Sequence, residues 1–324
     1  MKKYLMIPVT LVVGSLLVLA IWLSGFSVNQ EPSVMTRTVV DATGTQVTMP
    51  LHPKRVVILN SANLDMYYAV GGTVVGKPRS SYLSPELIKA TADVPSIGTI
   101  HSPNVEAIIG LQPDLVIGLN VPFNTNLRDM LSQAGIPLYI NDLNTYDDMI
   151  KELRFFGTLT NHEDVAEATS EEALKGYNEI VRLARAEQGP RTLIIFGAPG
   201  SFSMATTKSF GGNLLQILGG DNIADRDSSL TGEYVPLSLE YIIKTDPEVI
   251  FFISMTKKPD SIETFKRDMQ ENSAWQQVSA VQQGRIYYLS GGLFAANPGT
   301  RINEALSIMY KDLYGKEPSY NAPQ

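Results

Sequence analysis

The side chains that carry chemistry are scarce in this sequence, which has no cysteine and three histidines. Without cysteine there are no disulfides, thiolate nucleophiles, zinc ribbons or iron–sulfur clusters. Zinc or manganese sites built from histidine need several imidazoles at close spacing, whereas His52, His101 and His162 are scattered along the chain. The sequence therefore offers few residues for nucleophilic or metal-assisted catalysis.

Two motifs of known chemistry are incomplete or absent in the sequence. The run from Gly71 through Gly76 and Lys77 has the spacing of a phosphate-binding loop, but Pro78 stands where such a loop needs serine or threonine. The Gly-x-Ser-x-Gly elbow of serine hydrolases does not occur in the sequence. Nothing in the sequence requires catalysis, and we predict that the protein is not an enzyme.

The N-terminus indicates export. Lys2 and Lys3 precede a mostly apolar run over residues 4–26, which is long enough to span a bilayer as a helix. Positive charge before such a run keeps the N-terminus in the cytoplasm and places the rest of the chain outside. We predict a membrane anchor or, alternatively, a signal peptide over residues 1–27, followed by a tether over 28–36. The functional part then lies at the outer face of the cytoplasmic membrane, or in the periplasm or extracellular space.

Length and composition exclude several classes of protein. The chain has 324 residues, of which 44% are hydrophobic and 18% charged, and its net charge is −7. At roughly 150 residues per domain this length suggests about two domains. The composition fits neither a disordered chain nor a polytopic membrane protein. An acidic chain without long clusters of lysine and arginine is also not expected to bind nucleic acid.

Short β-rich runs alternate with helical patterns along the exported part, which is typical of an α/β fold. A long helical pattern lies within residues 161–189, with Asn161 as its expected N-cap and a Gly-Pro pair at its end. We expect this helix to join an N-terminal lobe over 37–160 to a C-terminal lobe over 190–324. The main predicted strands are Arg55–Leu59, Asp114–Leu119, Pro137–Asn141, Thr192–Gly197, Glu248–Ser254 and Arg285–Leu289.

The two halves share an internal repeat. Residues 104–117 and 238–251 both run through an N-cap residue, an apolar residue, a glutamate and an Ile-Ile pair, with proline seven residues after the glutamate. This pattern predicts a capped amphipathic helix that ends before the proline and leads into a buried strand. Two similar lobes joined by one helix leave a cleft between them, which is a natural place for a ligand.

Short motifs also occur in a fixed order through both halves. They are Thr38-Val39-Val40-Asp41, Val47-Thr48-Met49-Pro50, Pro53-Lys54-Arg55-Val56-Val57, Val75-Gly76-Lys77-Pro78, Val94-Pro95-Ser96-Ile97-Gly98, Pro103-Asn104-Val105-Glu106-Ala107, Gly197-Ala198-Pro199-Gly200-Ser201-Phe202, Lys208-Ser209-Phe210 and Gly219-Gly220-Asp221-Asn222. This ordered set resembles the class III substrate-binding proteins of ABC importers, which serve iron–siderophores, haem and cobalamin. The resemblance covers residues 37–314. Within the class, the motifs resemble the IsdE-like haem-receptor branch most.

The resemblance implies two Rossmann-like lobes joined by a single long rigid helix, with modest hinge motion and a ligand cleft between the lobes. It implies a receptor, expected to be monomeric, that binds haem as its transported ligand and hands it to an ABC permease with a cytoplasmic ATPase. Gram-positive members carry a lipobox cysteine that this chain lacks, so attachment would depend on residues 4–26. A ferric-siderophore or cobalamin receptor on the same scaffold, and a membrane-anchored enzyme on a doubled α/β scaffold, are the alternatives.

His101 and Met255 are the predicted axial ligands of the haem iron. Without cysteine, the protein ligands available to this iron are histidine, methionine, tyrosine and lysine. In the resembling receptors the position of His101 holds a methionine ligand, and the position of Met255, twenty residues before Trp275, holds a histidine ligand. The resemblance therefore implies that this chain exchanges the two ligands between its lobes, although a core-filling role remains the alternative for Met255. Met204 and Tyr82 are reserve ligands.

Three loops are expected to line the cleft, because α/β folds place ligands beyond the ends of strands. Lys77 and Arg79 are candidate partners of the haem propionates, and Phe294 is a candidate for packing on the porphyrin. Solvated loop charges and an ordinary core phenylalanine are the alternatives. The three loops are 60–62, 77–80 and 294–296.

As the resemblance implies, Glu106 and Glu240 would dock on arginines of the permease. The alternative for each glutamate is that it only complements the dipole of its helix.

Overall fold

Two sheets with parallel strands follow each other along the chain in the computed structural model, which describes residues 35–198, 201–229, 231–254 and 260–318. The first sheet ends at Asn141, the second begins at Arg191, and the long helix Glu163–Ala184 lies between them in sequence. This arrangement confirms the α/β class that the alternating sequence pattern predicts.

The N-terminal sheet consists of strands whose buried runs are short and apolar. The strands of this half are β1 (Thr36–Val40), β2 (Gln46–Pro50), β3 (Val56–Ile58), β4 (Val74–Gly76), β5 (Gly98–Thr99), β6 (Ser102–Pro103), β7 (Leu115–Leu119) and β8 (Leu138–Asn141). Strands β4, β3, β7 and β8 form a parallel sheet in that order, whereas β1–β2 and β5–β6 are antiparallel hairpins. Every residue of β3 is buried, as expected for a parallel strand with both faces covered.

Helices cover this sheet. They are α1 (Ser61–Ala69), α2 (Pro85–Ala90), α3 (Val105–Gly110), α4 (Pro122–Thr125), α5 (Arg128–Gln133) and α6 (Tyr146–Thr160). Helix α6 begins with a capping box, in which Thr145 and Asp148 satisfy each other's backbone N–H groups. The next helix, α7 (Glu163–Ala184), is the long helix between the two sheets.

The C-terminal sheet mixes parallel and antiparallel strands. Its strands are β9 (Arg191–Ala198), β10 (Ser201–Ala205), β11 (Asp221–Asn222), β12 (Tyr234–Pro236), β13 (Val249–Ser254) and β14 (Ile286–Leu289). The strand order is β12, β10, β9, β13 and β14, with β11 also pairing to β9. Strands β9, β13 and β14 are parallel, while β10 runs antiparallel to both of its neighbours.

The helices of the C-terminal half are short apart from two. They are α8 (Phe210–Ile217), α9 (Leu239–Thr245), α10 (Asp260–Glu271), α11 (Ser279–Gln282), α12 (Gly291–Phe294) and α13 (Ile302–Tyr314), with 3-10 turns at Ile223–Asp225, Ser273–Gln277 and Gly299–Arg301. All six predicted strands are present with ends within one residue of the prediction.

The structure confirms the internal repeat, because the two copies share the same helix cap and the same backbone conformation before the proline. The side chains of Asn104 and Ser238 cap helices α3 and α9 by accepting from the backbone N–H three residues later. Gln112 and Asp246, which directly precede the two prolines, both have left-handed backbone angles, with φ of 47° and 45°. Proline disfavours the right-handed helical conformation in the residue before it, so the same residue pattern stops the helix in the same way twice.

The start of the long helix differs from the prediction. Asn161 does not cap α7; it ends α6 in a left-handed conformation with φ of 61°, and His162 occupies the N-cap position without a side-chain hydrogen bond. Asparagine tolerates the left-handed conformation better than most residues, which explains its use as the end of the preceding helix.

The largest hydrophobic cluster contains side chains from both sheets. It includes Ile58 of β3, Leu153 of α6, Ile180 of α7, Ile194 of β9 and Leu306 of α13. Two smaller clusters each belong to one sheet. The two halves therefore share a continuous core along α6, α7 and α13.

Within the described ranges, no helix is both long and apolar enough to cross a membrane. The predicted anchor over residues 4–26 lies outside those ranges.

Candidate ligand cleft

A cavity of about 470 Å³ lies where strand ends of both sheets meet. From the N-terminal sheet, Asn60, Asn120 and Asp142 follow β3, β7 and β8 and line its wall. From the C-terminal sheet, Gly291 follows β14 and lines the same cavity. Parallel α/β sheets place ligands beyond the carboxyl ends of their strands, and this cavity has that position in both lobes.

His101 reaches the cavity on a tight hairpin. Together with Ile100 it forms the two-residue turn between β5 and β6, and both residues line the cavity. The carbonyl of Ile100 accepts a hydrogen bond at 3.3 Å from Nδ2 of Asn124, a side chain with no exposed surface. The imidazole meets the ring of Phe123 edge-on, with 5.1 Å between ring centres. The imidazole is exposed, but a fixed hairpin and an aromatic contact position it.

Aromatic side chains form another part of the wall. Tyr234 of β12 and Phe196 of β9 line the cavity, with 4.5 Å between their ring centres. Burial, together with the charge of Glu233, raises the pKa of Tyr234 to about 12. Its hydroxyl is therefore protonated at neutral pH and acts as a hydrogen-bonding group rather than as a phenolate.

Tyr82 joins the two lobes at the cavity. It follows β4 and lines the cavity, while its ring rests against Gly291 and Gly292 of the C-terminal half. A Cβ atom on Gly292 would lie 2.8 Å from Cδ1 of Tyr82, so only glycine leaves room for this approach. Burial raises the pKa of the Tyr82 hydroxyl above its usual value.

The electrostatics of the cavity wall are mildly acidic. Among the described residues that line it, Arg301 is the one arginine or lysine, against the carboxyl groups of Asp65, Asp142 and Glu233. Arg301 is already paired, because its Nε and one Nη donate to Glu304 at 2.8 and 2.9 Å. A ligand with many negative charges would find few free cations on this wall.

The structure brings some of the predicted cleft residues together and separates others. Lys77 turns inward, where its ammonium donates to the carbonyl and the hydroxyl of Thr91, and it does not line the cavity. Arg79 is exposed and also lies outside the cavity wall. Phe294 is 2% exposed within the largest core cluster, whereas its neighbours in the same loop, Ala295 and Ala296, do line the cavity. Within these loops, the residues that line the cavity are therefore mostly ones with small side chains.

Of the two predicted sulfur ligands, Met204 and Met255, the structure describes only Met204. Met204 is fully buried in the smaller core cluster of the C-terminal sheet, so it does not serve as a reserve ligand at the cavity. Met255 lies outside the described residues. Its predecessor Ser254 ends β13, and the Ser254 carbonyl oxygen lies against Gly291, which is on the cavity wall.

Three residues on the cavity wall, Tyr234, Asn297 and Arg301, were not predicted from the sequence. Tyr234 lies on a three-residue strand in a polar stretch without alternation, so no strand was predicted there. Asn297 and Arg301 lie in the connection from α12 to α13. The Asn-Pro-Gly-Thr sequence there predicts a turn between helices but not the direction in which the chain continues. The one available signal was position, because this connection follows β14 at the ligand edge of the sheet.

Glu106 and Glu240 occupy equivalent exposed positions. Each lies in the first turn of its helix, α3 or α9, and neither lines the cavity. Their matching places on the two lobes follow from the shared repeat.

A paired α/β scaffold with a cavity where the two halves meet defines the class of two-lobed binding proteins. The model of the family described as periplasmic binding protein matches residues 56–291, and the chain belongs to this family of extracytoplasmic proteins. Its members bind substrates for transport and are not enzymes, in agreement with the prediction from the sequence.

Several known proteins are similar to this chain. The high-affinity haem uptake system protein IsdE of Staphylococcus aureus MRSA252 is 26% identical over 245 residues, or 75% of this chain and 81% of IsdE. The structure of S. aureus IsdE complexed with haem has a TM-score of 0.72 at 24% identity, and the match covers 80% of this chain and 98% of the chain in that structure.

Two further structures share the fold. An ABC transporter substrate-binding protein from Listeria monocytogenes EGD-e has a TM-score of 0.72 at 24% identity over 82% of this chain and 100% of that protein. The periplasmic catecholate-siderophore binding protein VctP of Vibrio cholerae has a TM-score of 0.69 at 20% identity over 87% of this chain and 100% of VctP. The two-lobed fold implied by the sequence motifs is therefore confirmed.

Proposed function

We propose that this protein is an extracytoplasmic receptor that binds haem in its cleft and delivers it to an ABC importer for iron acquisition. The observation that carries the proposal is His101, which a fixed hairpin holds at the wall of a cavity of about 470 Å³. Imidazole is a strong protein ligand for haem iron, and the neighbouring aromatic and apolar side chains suit a flat porphyrin. The similarity to IsdE, which is named for haem uptake, supports the same ligand here.

His101 and Met255 are the proposed axial ligands, one from each lobe. Ser254, the residue before Met255 in the sequence, ends β13, and its carbonyl oxygen lies against the cavity-lining Gly291, which supports the pairing. Tyr82 and Tyr234 are weaker candidates, because burial raises the pKa of both hydroxyls and phenolate is the form that binds ferric iron. A ligand from each lobe would couple release of the iron to opening of the cleft.

A visible spectrum tests this proposal. The purified protein with haem should show a Soret band and, when reduced, a low-spin six-coordinate spectrum. His101→Ala should weaken haem binding by about tenfold or more, because it removes the stronger ligand. Met255→Ala should shift the spectrum towards five-coordinate or water-ligated haem.

Two variants serve as controls for the spectra. His162→Ala and Met130→Ala change exposed residues that do not line the cavity, and both should leave the spectrum unchanged. Absence of a Soret band would contradict haem binding itself. Unchanged spectra in both His101→Ala and Met255→Ala would contradict only the assigned ligands.

Delivery to the importer requires a docking surface, for which we propose Glu106 and Glu240, with residues 4–26 holding the receptor at the membrane. Their equivalent exposed positions on two lobes suit a permease with paired basic contacts. The double variant Glu106→Lys/Glu240→Lys should abolish haem uptake by cells and leave haem affinity intact. The matched control Glu171→Lys/Glu172→Lys reverses two exposed charges on α7 and should support normal uptake. Normal uptake by the first variant would contradict this docking surface.

A ferric siderophore is the second candidate ligand. The two cavity tyrosines and the similarity to VctP favour it, whereas the excess of carboxyl groups over free cations on the described wall opposes a polyanionic complex. Titration with ferric catecholate or ferric hydroxamate complexes, followed by tryptophan fluorescence, separates the two candidates. Submicromolar binding of such a complex without haem binding would favour the siderophore.

A further inference from the structure

Two buried amide donors on the cavity wall have no partner among the described residues. Asn60 is 3% exposed and Asn297 is 6% exposed, both line the cavity, and the Nδ2 atom of each makes no hydrogen bond. Folded proteins rarely leave a buried N–H group unpaired unless a ligand or an ordered water accepts from it. Each donor therefore needs an acceptor that the described chain does not supply.

The orientation of both amides is fixed by their oxygens. Oδ1 of Asn60 accepts from the backbone N–H of Asn63 at 2.9 Å and caps α1. Oδ1 of Asn297 accepts from the backbone N–H of Gly299, also at 2.9 Å. Rotating either amide by half a turn would set its NH2 group against a backbone donor. The NH2 groups are therefore the parts that remain for a ligand.

The two amides come from different lobes and lie on elements that touch. Asn60 begins α1, and Asn297 precedes the 3-10 turn Gly299–Arg301. Oδ2 of Asp65 on α1 accepts from the backbone N–H and the hydroxyl of Thr300, each at 2.7 Å. A Cβ on Gly299 would lie 2.5 Å from the same oxygen, so glycine permits this close packing. This packing holds together the two segments that carry the amides, and both amides line the same cavity.

We infer that Asn60 and Asn297 form a subsite for a carboxylate of the ligand, which is a haem propionate if the proposed function, on which this inference rests, is correct. The two propionates are the strong hydrogen-bond acceptors of haem, and a carboxylate has two oxygens for two donors. Asp65 also lines the cavity; burial raises the pKa of its carboxyl group, and the hydrogen bonds from Thr300 and the charge of Arg301 oppose that rise. The subsite takes the role expected of Lys77 and Arg79, which the structure places outside the cavity wall.

Asparagine-to-aspartate variants test the subsite without removing the caps. Asn60→Asp and Asn297→Asp keep an oxygen for the backbone N–H of Asn63 or Gly299, and they replace the NH2 donor by a carboxylate oxygen that repels the ligand carboxylate. The matched control is Asn104→Asp, because Asn104 is an exposed N-cap outside the cavity whose Oδ1 accepts from the N–H of Ala107 at 2.9 Å. Thermal unfolding of each full-length variant verifies that it is folded.

Each variant is titrated with haem and with haem dimethyl ester, which has the same iron and porphyrin but no carboxylate charge. We expect wild type to bind haem more tightly than the diester. Each cavity variant should lose about tenfold in haem affinity and change little in affinity for the diester. Asn104→Asp should match wild type with both ligands.

The outcomes separate this inference from the proposed function. If wild type binds haem but the cavity variants keep full haem affinity, the carboxylate subsite is wrong while haem binding stands. Equal losses for haem and the diester would also overturn the subsite, because they would show a general disturbance of the cleft. If wild type binds neither porphyrin, the proposed function fails and the inference fails with it.

Discussion

The buried carboxyl group of Glu152 lies behind the cavity wall, and its protonation affects the stability of the protein. Tyr139 donates to one oxygen of Glu152 at 2.9 Å, and Nδ2 of Asn141 donates to the other at 3.1 Å. Asn141 lines the cavity and forms two reciprocal amide hydrogen bonds with the buried Asn63. Burial raises the pKa of Glu152 to about 7, and nearby Asp148 adds to the rise, although the two hydrogen bonds oppose it.

Glu152 should make the protein less stable as pH rises. Its pKa is higher in the folded than in the unfolded chain, so the folded state binds the extra proton between about pH 4.5 and 7, and stability falls across that interval. Glu152→Gln cannot ionise, so its free energy of unfolding should exceed that of wild type at pH 8 by up to about 3 kcal/mol. Urea unfolding of both proteins at pH 5 and pH 8 measures the difference.

The control for this prediction is Glu171→Gln, which removes an exposed carboxyl group from α7. It should keep the pH dependence of wild type. An identical pH dependence in Glu152→Gln and wild type would show that Glu152 is ionised in the folded protein at all pH values tested.

At the level of single residues, the sequence predicted that His101 and the loop 60–62 lie at the cleft, and both line the cavity, but it did not indicate the unpaired amide donors. His101 was selectable because the chain has only three histidines and this one precedes a recognisable capped helix. Asn60 and Asn297 have common side chains, and their importance depends on burial and on unpaired Nδ2 atoms that only coordinates reveal. Lys77 has a suitable charge and lies on a suitable loop, but its ammonium group turns inward and donates a hydrogen bond to Thr91.

At the level of elements, the β5–β6 hairpin determines where His101 lies. Gly98 has a left-handed φ of 95°, and a Cβ there would lie 2.4 Å from the carbonyl oxygen of Ser102. Any other residue at Gly98 must therefore shift the strand that leads into the turn. The position of the imidazole depends on a glycine three residues away.

Gly98→Ala should displace the hairpin and weaken haem binding by about tenfold, comparable with His101→Ala, while the rest of the fold persists. Haem titration and far-UV circular dichroism measure the two effects separately. The control Gly110→Ala lies at the end of α3, where a Cβ meets no atom within 4 Å, and it should be neutral for both. Full haem affinity in Gly98→Ala would mean that the hairpin does not fix the imidazole.

Elements with strong patterns were predictable, and elements fixed by contacts were not. Buried apolar runs such as β7 and β13 have five or six residues, so their composition identifies them. Strands β5, β6 and β12 have two or three residues and take their conformation from pairing. The N-cap at Asn161 was misplaced because asparagine suits both the end of one helix and the start of the next.

At the level of the whole molecule, the shared core limits how independently the two lobes behave. Helices α6, α7 and α13 pack into one cluster with side chains from both sheets. Polar contacts add to this connection, since Nδ2 of Asn303 on α13 donates to the carbonyl of Ala173 on α7 at 2.7 Å. Such a connection permits small changes of the cleft and opposes separate unfolding of either lobe.

We therefore expect one cooperative unfolding transition that a change in either lobe shifts as a whole. Trp275 is 1% exposed in the C-terminal sheet's own cluster, and Trp22 is the other tryptophan of the chain. With Trp22→Phe in place, fluorescence reports the C-terminal lobe and far-UV circular dichroism reports all helices. Leu131→Ala, in the cluster that belongs to the N-terminal sheet alone, removes a fully buried side chain at a cost of about 3 kcal/mol.

In this background Leu131→Ala should lower the urea midpoint of Trp275 fluorescence as much as the midpoint of circular dichroism, although the two residues belong to separate clusters. The neighbouring control Met130→Ala changes a side chain that is 44% exposed and should move neither midpoint. A Trp275 transition that stays at its original midpoint, while circular dichroism shows an earlier loss of helix, would mean that the lobes unfold independently. Coincident shifts would mean that the shared core couples the unfolding of the lobe that carries His101 to the unfolding of the lobe that carries Asn297.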